Sequence, residues 1–322
     1  MIRRRTALLA AVPLFPLLAA CQGGTKDAVA PSMVRIAHLP STLFAPLYLA
    51  DAKGYFKQEG ITVELQKVKS GQDAVPLAAA GKIDAVVAGF SAGLFNGVAK
   101  GLGVKVLASM GAATGETPSP TALEVAKRLL DSKDVDDPAD LRGRKIAVAG
   151  GAGAAGGYQL AETLRASGLG LKDVRVVNVA VPDMKAALAD GGVDAAVVPA
   201  PFTTAMEQGG VAEPVAVPPR GTTATGVIVG DGFAAGPAAG KLLAALRKAA
   251  ADLQGRGRTS EETLTVLARA TGQQVDVLRR TPAYEWDPRL APNTGQLKKM
   301  QAAYREAGLL RGGPVAMDQL VK

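Results

Sequence analysis

One cysteine and one histidine are all that 322 residues offer as thiol and imidazole ligands. A lone cysteine closes no intrachain disulfide, and with a single histidine the chain falls short of a four-ligand zinc site. The reading is of a protein with no catalytic residue, no metal and no other cofactor. Aromatic residues are only 4% of the chain, and no basic run is interleaved with them. That excludes a nucleic-acid groove, which needs both. The formal charge of +8 drops by three if Arg3, Arg4 and Arg5 are removed, and the other Lys and Arg are scattered among acids. No Gly-x-x-x-x-Gly-Lys-Ser/Thr loop occurs, so an ATPase would have to be another chain.

What is present begins with an address. Three arginines precede an apolar stretch, Ala7 to Leu18, too short to span a bilayer as a helix, which is the build of an export signal over residues 1–20. The run Leu18-Ala19-Ala20-Cys21 resembles a bacterial lipobox, which implies lipidation at Cys21 and a tether over residues 21–32. Several acyl chains hold a protein more firmly than one. The expectation is an exported, lipid-anchored protein of the periplasm or cell surface, touching the membrane through its anchor only. The Arg4-Arg5 pair leaves Sec and twin-arginine export both open.

Further along, apolar runs alternate with helical stretches, the rhythm of βαβ units. Val34 to Ala37, Thr62 to Gln66, Ala85 to Ala88 and Val104 to Ser109 read as strands of a first unit. Lys145 to Ala149, Val174 to Val179 and Ala195 to Val198 read as strands of a second. Gly81-Lys82-Ile83-Asp84-Ala85 and Gly191-Gly192-Val193-Asp194-Ala195 echo one another, although a glycine-capped helix-to-strand turn alone would produce that pattern. Gly111 to Pro120 and Pro214 to Thr225 are candidate crossovers, and beyond Pro237 only helices are expected, packed back on the first lobe. Residues 33–115 and 223–322 would form lobe I, and residues 116–222 lobe II.

Phe44-Ala45-Pro46-Leu47-Tyr48-Leu49-Ala50, then Lys53-Gly54-Tyr55-Phe56, then Glu59-Gly60-Ile61-Thr62-Val63 resemble the opening of the alkanesulfonate, taurine, nitrate and pyrimidine-precursor binding proteins of ABC importers (SsuA/THI5-like, NMT1). Asp140-Leu141-Arg142-Gly143-Arg144-Lys145 and the closing Gly308-Leu309-Leu310 extend the likeness over nearly the whole chain. The resemblance implies an α/β, two-lobed periplasmic-binding-protein fold (type II), each lobe a mostly parallel sheet flanked by helices. It further implies a monomer that captures a small organic solute and passes it to a permease and its ATPase, without chemistry.

In open α/β sheets ligands sit outside the carboxyl ends of the strands. Those ends place His38, Ser41, Thr42, Leu43, Phe44, Ser70, Gly71, Gln72, Phe90 and Ser91 on one lobe. Gly151, Ala152, Gly153, Asp183, Pro201 and Phe202 fall on the other. The glycines admit a ligand to the backbone at a helix N-terminus, and Phe44, Phe90 and Phe202 are candidate apolar walls. His38 is the one side chain there expected to titrate near neutral pH. Asp183 also reads as a cap for a helix starting at Met184, and Trp286 as a tail residue that packs or lies at the surface.

Two departures from the family pattern bear on the ligand. Val198-Pro199-Ala200-Pro201 lacks the tryptophan and acid that many relatives carry before this proline, and the loop Ala149 to Gly157 has no hydroxyl. A less strongly charged or more apolar solute fits better. Two enzyme motifs compete. Gly89-Phe90-Ser91-Ala92-Gly93 matches a nucleophile elbow, but the only histidine precedes the serine, against the order that fold requires. Gly151-x-Gly153-x-x-Gly156 matches a dinucleotide fingerprint and supplies the alternative, an exported oxidoreductase, yet the next strand does not end in an acid.

Overall fold

The computed structural model describes residues 32–68 and 71–322. The export signal, Cys21, the tether up to Pro31 and Ser70 lie outside them. Ten strands are β1 (Ser32–His38), β2 (Ile61–Lys67), β3 (Ala85–Gly89), β4 (Val104–Ser109), β5 (Thr121–Ala126), β6 (Lys145–Val148), β7 (Arg175–Asn178), β8 (Ala195–Pro199), β9 (Ala212–Ala216) and β10 (Thr225–Gly230). They form two five-stranded sheets, ordered β2-β1-β3-β10-β4 and β7-β6-β8-β5-β9. The fold is the two-lobed α/β architecture.

Each sheet is parallel except for one strand. In lobe I β10 runs antiparallel to both β3 and β4, and in lobe II β5 runs antiparallel to both β8 and β9. These two strands are the first elements after each crossover, so each lobe receives one reversed strand from the chain's passage between lobes. Neither was expected from the alternating rhythm, nor was β9. The crossovers lie side by side: the Ala113 N–H donates to Thr222 O at 2.9 Å and the Gly221 N–H to Ala113 O at 2.9 Å. Gly115, at φ +72°, is required there, because a Cβ would stand 2.5 Å from the Arg220 nitrogen.

The echoed turn has one structural job in both lobes. The Asp84 carboxylate accepts the backbone N–H of Arg35 at 2.8 Å, and the Asp194 carboxylate accepts that of Lys145 at 2.9 Å. Each acid thereby fastens the start of its lobe's third parallel strand to the neighbouring first. The preceding Gly81 and Gly191, at φ +67° and +73°, also end helices as glycine caps do.

Helices cover both faces of each sheet. Under lobe I, Leu242, Ala245, Leu246 and Ala249 of the helix Pro237–Asp252 share a buried face with Val34, Ile36 and Leu47. Its proline stands where a missing N–H is harmless. On the opposite face, the helix Thr294–Glu306 brings Leu297, Met300 and Tyr304 against Phe90, Phe95 and Ile228. The tail helices pack on the β2-β1-β3-β10-β4 sheet. They also reach further, because Tyr158 and Ala161 of the lobe II helix Ala155–Leu164 belong to the same apolar cluster.

Candidate functional site

The carboxyl ends of the parallel strands in both lobes face a common seam, and the lobes touch across it. The Ala92 N–H donates to Gly153 O at 2.8 Å. A Cβ on Gly89 would fall 2.7 Å from the Ala155 methyl, so glycine is what allows β3 to approach the lobe II helix. Gln72 reaches Gly150: its Nε2 is 3.4 Å from where a Cβ would stand. Ala200, just after β8, is buried with lobe I residues such as Phe44 and Met110. Behind these contacts, three buried tyrosines tie the lobes together. The Tyr304 hydroxyl donates to Ala154 O at 2.8 Å, that of Tyr158 to Gln296 Oε1 at 2.5 Å, and that of Tyr284 to Pro120 O at 2.7 Å.

His38 ends β1 with 2% exposure, its Nδ1 3.0 Å from the Tyr48 hydroxyl. That hydroxyl donates to Leu39 O, which leaves the ring nitrogen as donor to it. Burial lowers the imidazole pKa, the Leu39 backbone opposes this, and Lys67 adds to the lowering. His38 is therefore neutral at pH 7 and already hydrogen-bonded. Ser41 caps the following short helix by accepting the Leu43 N–H, and Leu43 O accepts the Trp286 indole N–H at 3.0 Å. Trp286, 5% exposed, is thus packed and pinned rather than at the surface. Thr42 is buried with no partner for its hydroxyl.

The aromatic candidates divide. Phe44 and Phe90 are core residues at 2% and 1% exposure, and the Phe90 ring lies against the backbone of Gly226. Phe202 opens its helix half-buried, on the lobe II side of the seam, after the buried Pro201. Ser91 caps the helix Ala92–Ala99 by accepting the Leu94 N–H at 3.2 Å. Gly71 begins the helix Gly71–Ala79 so close to β3 that a Cβ would overlap Ala88, while Gln72 beside it is exposed. Asp183 is exposed in the first turn of the helix Val181–Ala189, which begins earlier than expected, so it does not occupy the cap position.

The glycine loop spends much of its donor capacity internally. The Gly150 N–H goes to Asn178 Oδ1 at 2.8 Å and the Gly151 N–H to Val148 O at 3.0 Å. Ala152 and Gly153 are half-buried. Gly151, at φ +76°, has open space around it, whereas a Cβ on Gly157 would stand 2.0 Å from Ala152 O. The loop's helix N-terminus is covered by Gly89 and Ala92 of lobe I, the place a pyrophosphate would need.

Sequence reasoning passed over the threonines that matter most here. Thr225 starts β10 opposite Gly89, and Thr203 lies in the first turn after Pro201; both hydroxyls are buried without a partner. A threonine at a strand start gives no local sign of this. A cavity of about 580 Å³ lies elsewhere, behind the crossovers, lined by Ser109, Thr223, Arg258, Trp286 and Asn293 among others. None of the expected binding residues lines it. Its polar groups are largely engaged, Trp286 with Leu43 and Asn293 with the Gln296 N–H, so the strand-end seam is the better candidate.

Among the described residues no group of three or more His, Cys, Asp or Glu could hold a metal ion, and no helix is long and apolar enough to cross a membrane.

Solved structures share the architecture. The alkanesulfonate-binding protein SsuA from Xanthomonas axonopodis pv. citri, bound to MOPS, superposes with a TM-score of 0.70 at 21% identity, covering 90% of this chain and 98% of that one. The periplasmic nitrate-binding protein NrtA from Synechocystis PCC 6803 gives 0.68 at 16% identity, over 89% and 84% of the two chains. At these identities the likeness establishes the fold. The 4-amino-5-hydroxymethyl-2-methylpyrimidine phosphate synthase of Aspergillus parasiticus is 32% identical over 153 residues, which is 48% of this chain and only 41% of that protein. The model of the NMT1/THI5 like family matches residues 41–212, more than half of the sequence, and the chain belongs to that family.

Proposed function

We propose that the protein is the solute-binding lipoprotein of an ABC importer, which captures a small organic molecule between its lobes and delivers it unaltered to a permease. The observation that carries this reading is the seam itself. Carboxyl-terminal strand ends from two separate sheets converge on one place, with buried hydroxyls from both sides. The lobes would be residues 33–115 with 223–322, and 116–222, hinged at the paired crossovers, with Phe202 and Gln72 as contacts from opposite sides. Export and anchoring would follow from the lipobox at Cys21. The working form would be a monomer, with the permease and its ATPase as partners.

The identity to the pyrimidine phosphate synthase favours a second reading, an enzyme of pyrimidine synthesis. Against it, the cysteine-rich motif of those enzymes is absent from a chain with one cysteine, and the one histidine is buried on Tyr48. The dinucleotide alternative has no support from the relatives, and its loop packs on lobe I. Two measurements test the main reading. Small molecules released from the purified full chain by heating should have the same mass before and after prolonged incubation with it. The Cys21→Ser variant should leave the membrane fraction with its fold intact. A covalently altered ligand, or unchanged membrane partition, would defeat the corresponding half of the proposal.

A further inference from the structure

Among the described residues three buried hydroxyls stand without partners: Thr42, Thr203 and Thr225, at 7%, 0% and 4% exposure. All three belong to the same end of their sheets. Thr42 follows β1, Thr203 follows β8, and Thr225 starts the reversed strand β10 opposite the last residue of β3. Two come from lobe I and one from lobe II. A buried hydroxyl without a partner is disfavoured in a folded protein, so such groups collecting at one seam call for something that answers them.

Most of the described strand-end segments around these hydroxyls carry no charge. Segments 39–44, 71–72, 89–92, 150–157, 199–204 and 223–225 contain no Lys, Arg, Asp or Glu. Lys69, two residues before Gly71, lies outside the described residues, and Asp73, which adjoins these segments, is exposed, as are Lys67 and Asp183. His38 is buried and neutral, with Nδ1 engaged by Tyr48. An anion brought between the lobes would lose its water and meet no buried cation among the described residues, while a neutral molecule would lose far less.

We infer that the solute of this seam is an uncharged polar organic molecule, held through carbonyl, hydroxyl or ring-nitrogen groups by the hydroxyls of Thr42 and Thr225 on one lobe and Thr203 on the other. The inference rests on the solute-binding reading above and narrows it to a ligand class. A hydroxyl both donates and accepts, so the three threonines suit a solute carrying both kinds of group and no net charge. Closure of the lobes would bring Thr203 to a molecule already lying on lobe I, so that the solute is answered from both sides only in the closed form.

The test uses the full-length protein, purified without denaturation. Solutes released by heating are separated on an anion exchanger at neutral pH and weighed by mass spectrometry, and thermal shifts are recorded with ethanesulfonate and with nitrate. The expected result is a neutral released solute and no shift from either anion. Thr42→Val, Thr203→Val and Thr225→Val should melt, when stripped of solute, at or above the wild-type temperature while retaining less than a tenth of the bound solute. Thr→Ser at the same positions should restore retention. An acidic released solute, saturable binding of ethanesulfonate or nitrate, or full retention in all three valine variants would overturn the inference and leave the solute-binding reading standing. If the wild type releases nothing and neither anion binds, both fall together. A valine variant that fails to fold is judged by its serine counterpart, where loss of retention despite the hydroxyl overturns the role given to that residue.

Discussion

Lobes I and II are built on one plan and differ where the plan is most buried. Their sheet orders correspond strand for strand, and the two reversed strands correspond residue for residue. Thr225 pairs with Gly89 as Thr121 pairs with Pro199, and each strand shifts register after its third residue. The strands read Thr-Gly-Val-Ile-Val-Gly in lobe I and Thr-Ala-Leu-Glu-Val-Ala in lobe II. Ile228 therefore stands where lobe II has Glu124, both at 0% exposure. Neither Glu124 oxygen has a hydrogen-bond partner. Burial, then the neighbouring carboxyl of Glu207, then the negative charge of Glu213, raise its pKa to about 8. One topology thus tolerates an ordinary apolar centre in one copy and a protonated acid in the other, which shows that strand order does not dictate core chemistry.

The comparison breaks first at the second residue of these strands. A Cβ on Gly226 would stand 2.1 Å from Ala108 O and 2.4 Å from the Phe90 ring, whereas Ala122 already carries one. Gly226→Ala should destabilise the protein by about 3 kcal/mol or prevent folding, since backbone must move to relieve the clash. Ala122→Gly should lose only about 1 kcal/mol. Chemical denaturation of the two variants decides it: equal losses would mean the two strands are not packed as differently as their sequences suggest.

The central position sharpens the comparison through pH. The folded pKa of Glu124 lies above the unfolded value of about 4.3. Between that value and about 8 the native state holds a proton that the unfolded chain has released. Stability therefore falls as pH rises through this window and levels off above it, by an amount on the order of a few kcal/mol. Glu124→Gln should flatten that slope, and Glu124→Met should match or exceed wild-type stability at pH 8. Denaturation midpoints from pH 5 to 9 provide the measurement. A slope unchanged by both substitutions would place the titration in some other group. Ile228→Glu is the reciprocal change and should introduce a comparable slope into lobe I.

The smallest effect concerns what joins the lobes. Tyr158→Phe and Tyr304→Phe each remove one hydrogen bond between the helices Ala155–Leu164 and Thr294–Glu306 or the loop before the former. Each should lower stability by about 1 kcal/mol. Together they should raise the population of an open form, seen as a larger radius of gyration by X-ray scattering in the absence of solute. An unchanged radius in the double variant would mean that apolar contacts of Tyr158 and Ala161 hold the lobes without help from the hydroxyls.

The strand ends that frame the candidate seam are legible in the sequence. The strand-end rule brought residues 38–44, 89–91 and 151–153 to one seam because it depends only on where parallel strands stop. Side-chain roles at those positions were less readable. Phe44 and Phe90 turn into the core, and Ser91 is spent on a helix cap. The hydroxyls left over are those of Thr203 and Thr225, residues whose local sequence gives no sign that their neighbours supply no partner.

The sequence by itself determined seven of the eight parallel strands, all but β9, together with the helical tail and the family. These follow from periodicity, composition and fixed motifs, all of which are local. Only the tertiary structure decided that β5 and β10 cross into the opposite sheets and run against their neighbours. Thr225 to Gly230 carries glycine at its second and sixth positions, and Ala108 and Phe90 leave no room for a side chain at Gly226. Tertiary structure also decided that Glu124 is buried beside Glu207, and that Tyr158, Tyr284 and Tyr304 bind lobe to lobe. Packing joins residues as much as 243 positions apart, as Trp286 and Leu43 are. No local pattern of residues carries that information, because the partner that fixes each conformation is supplied by packing.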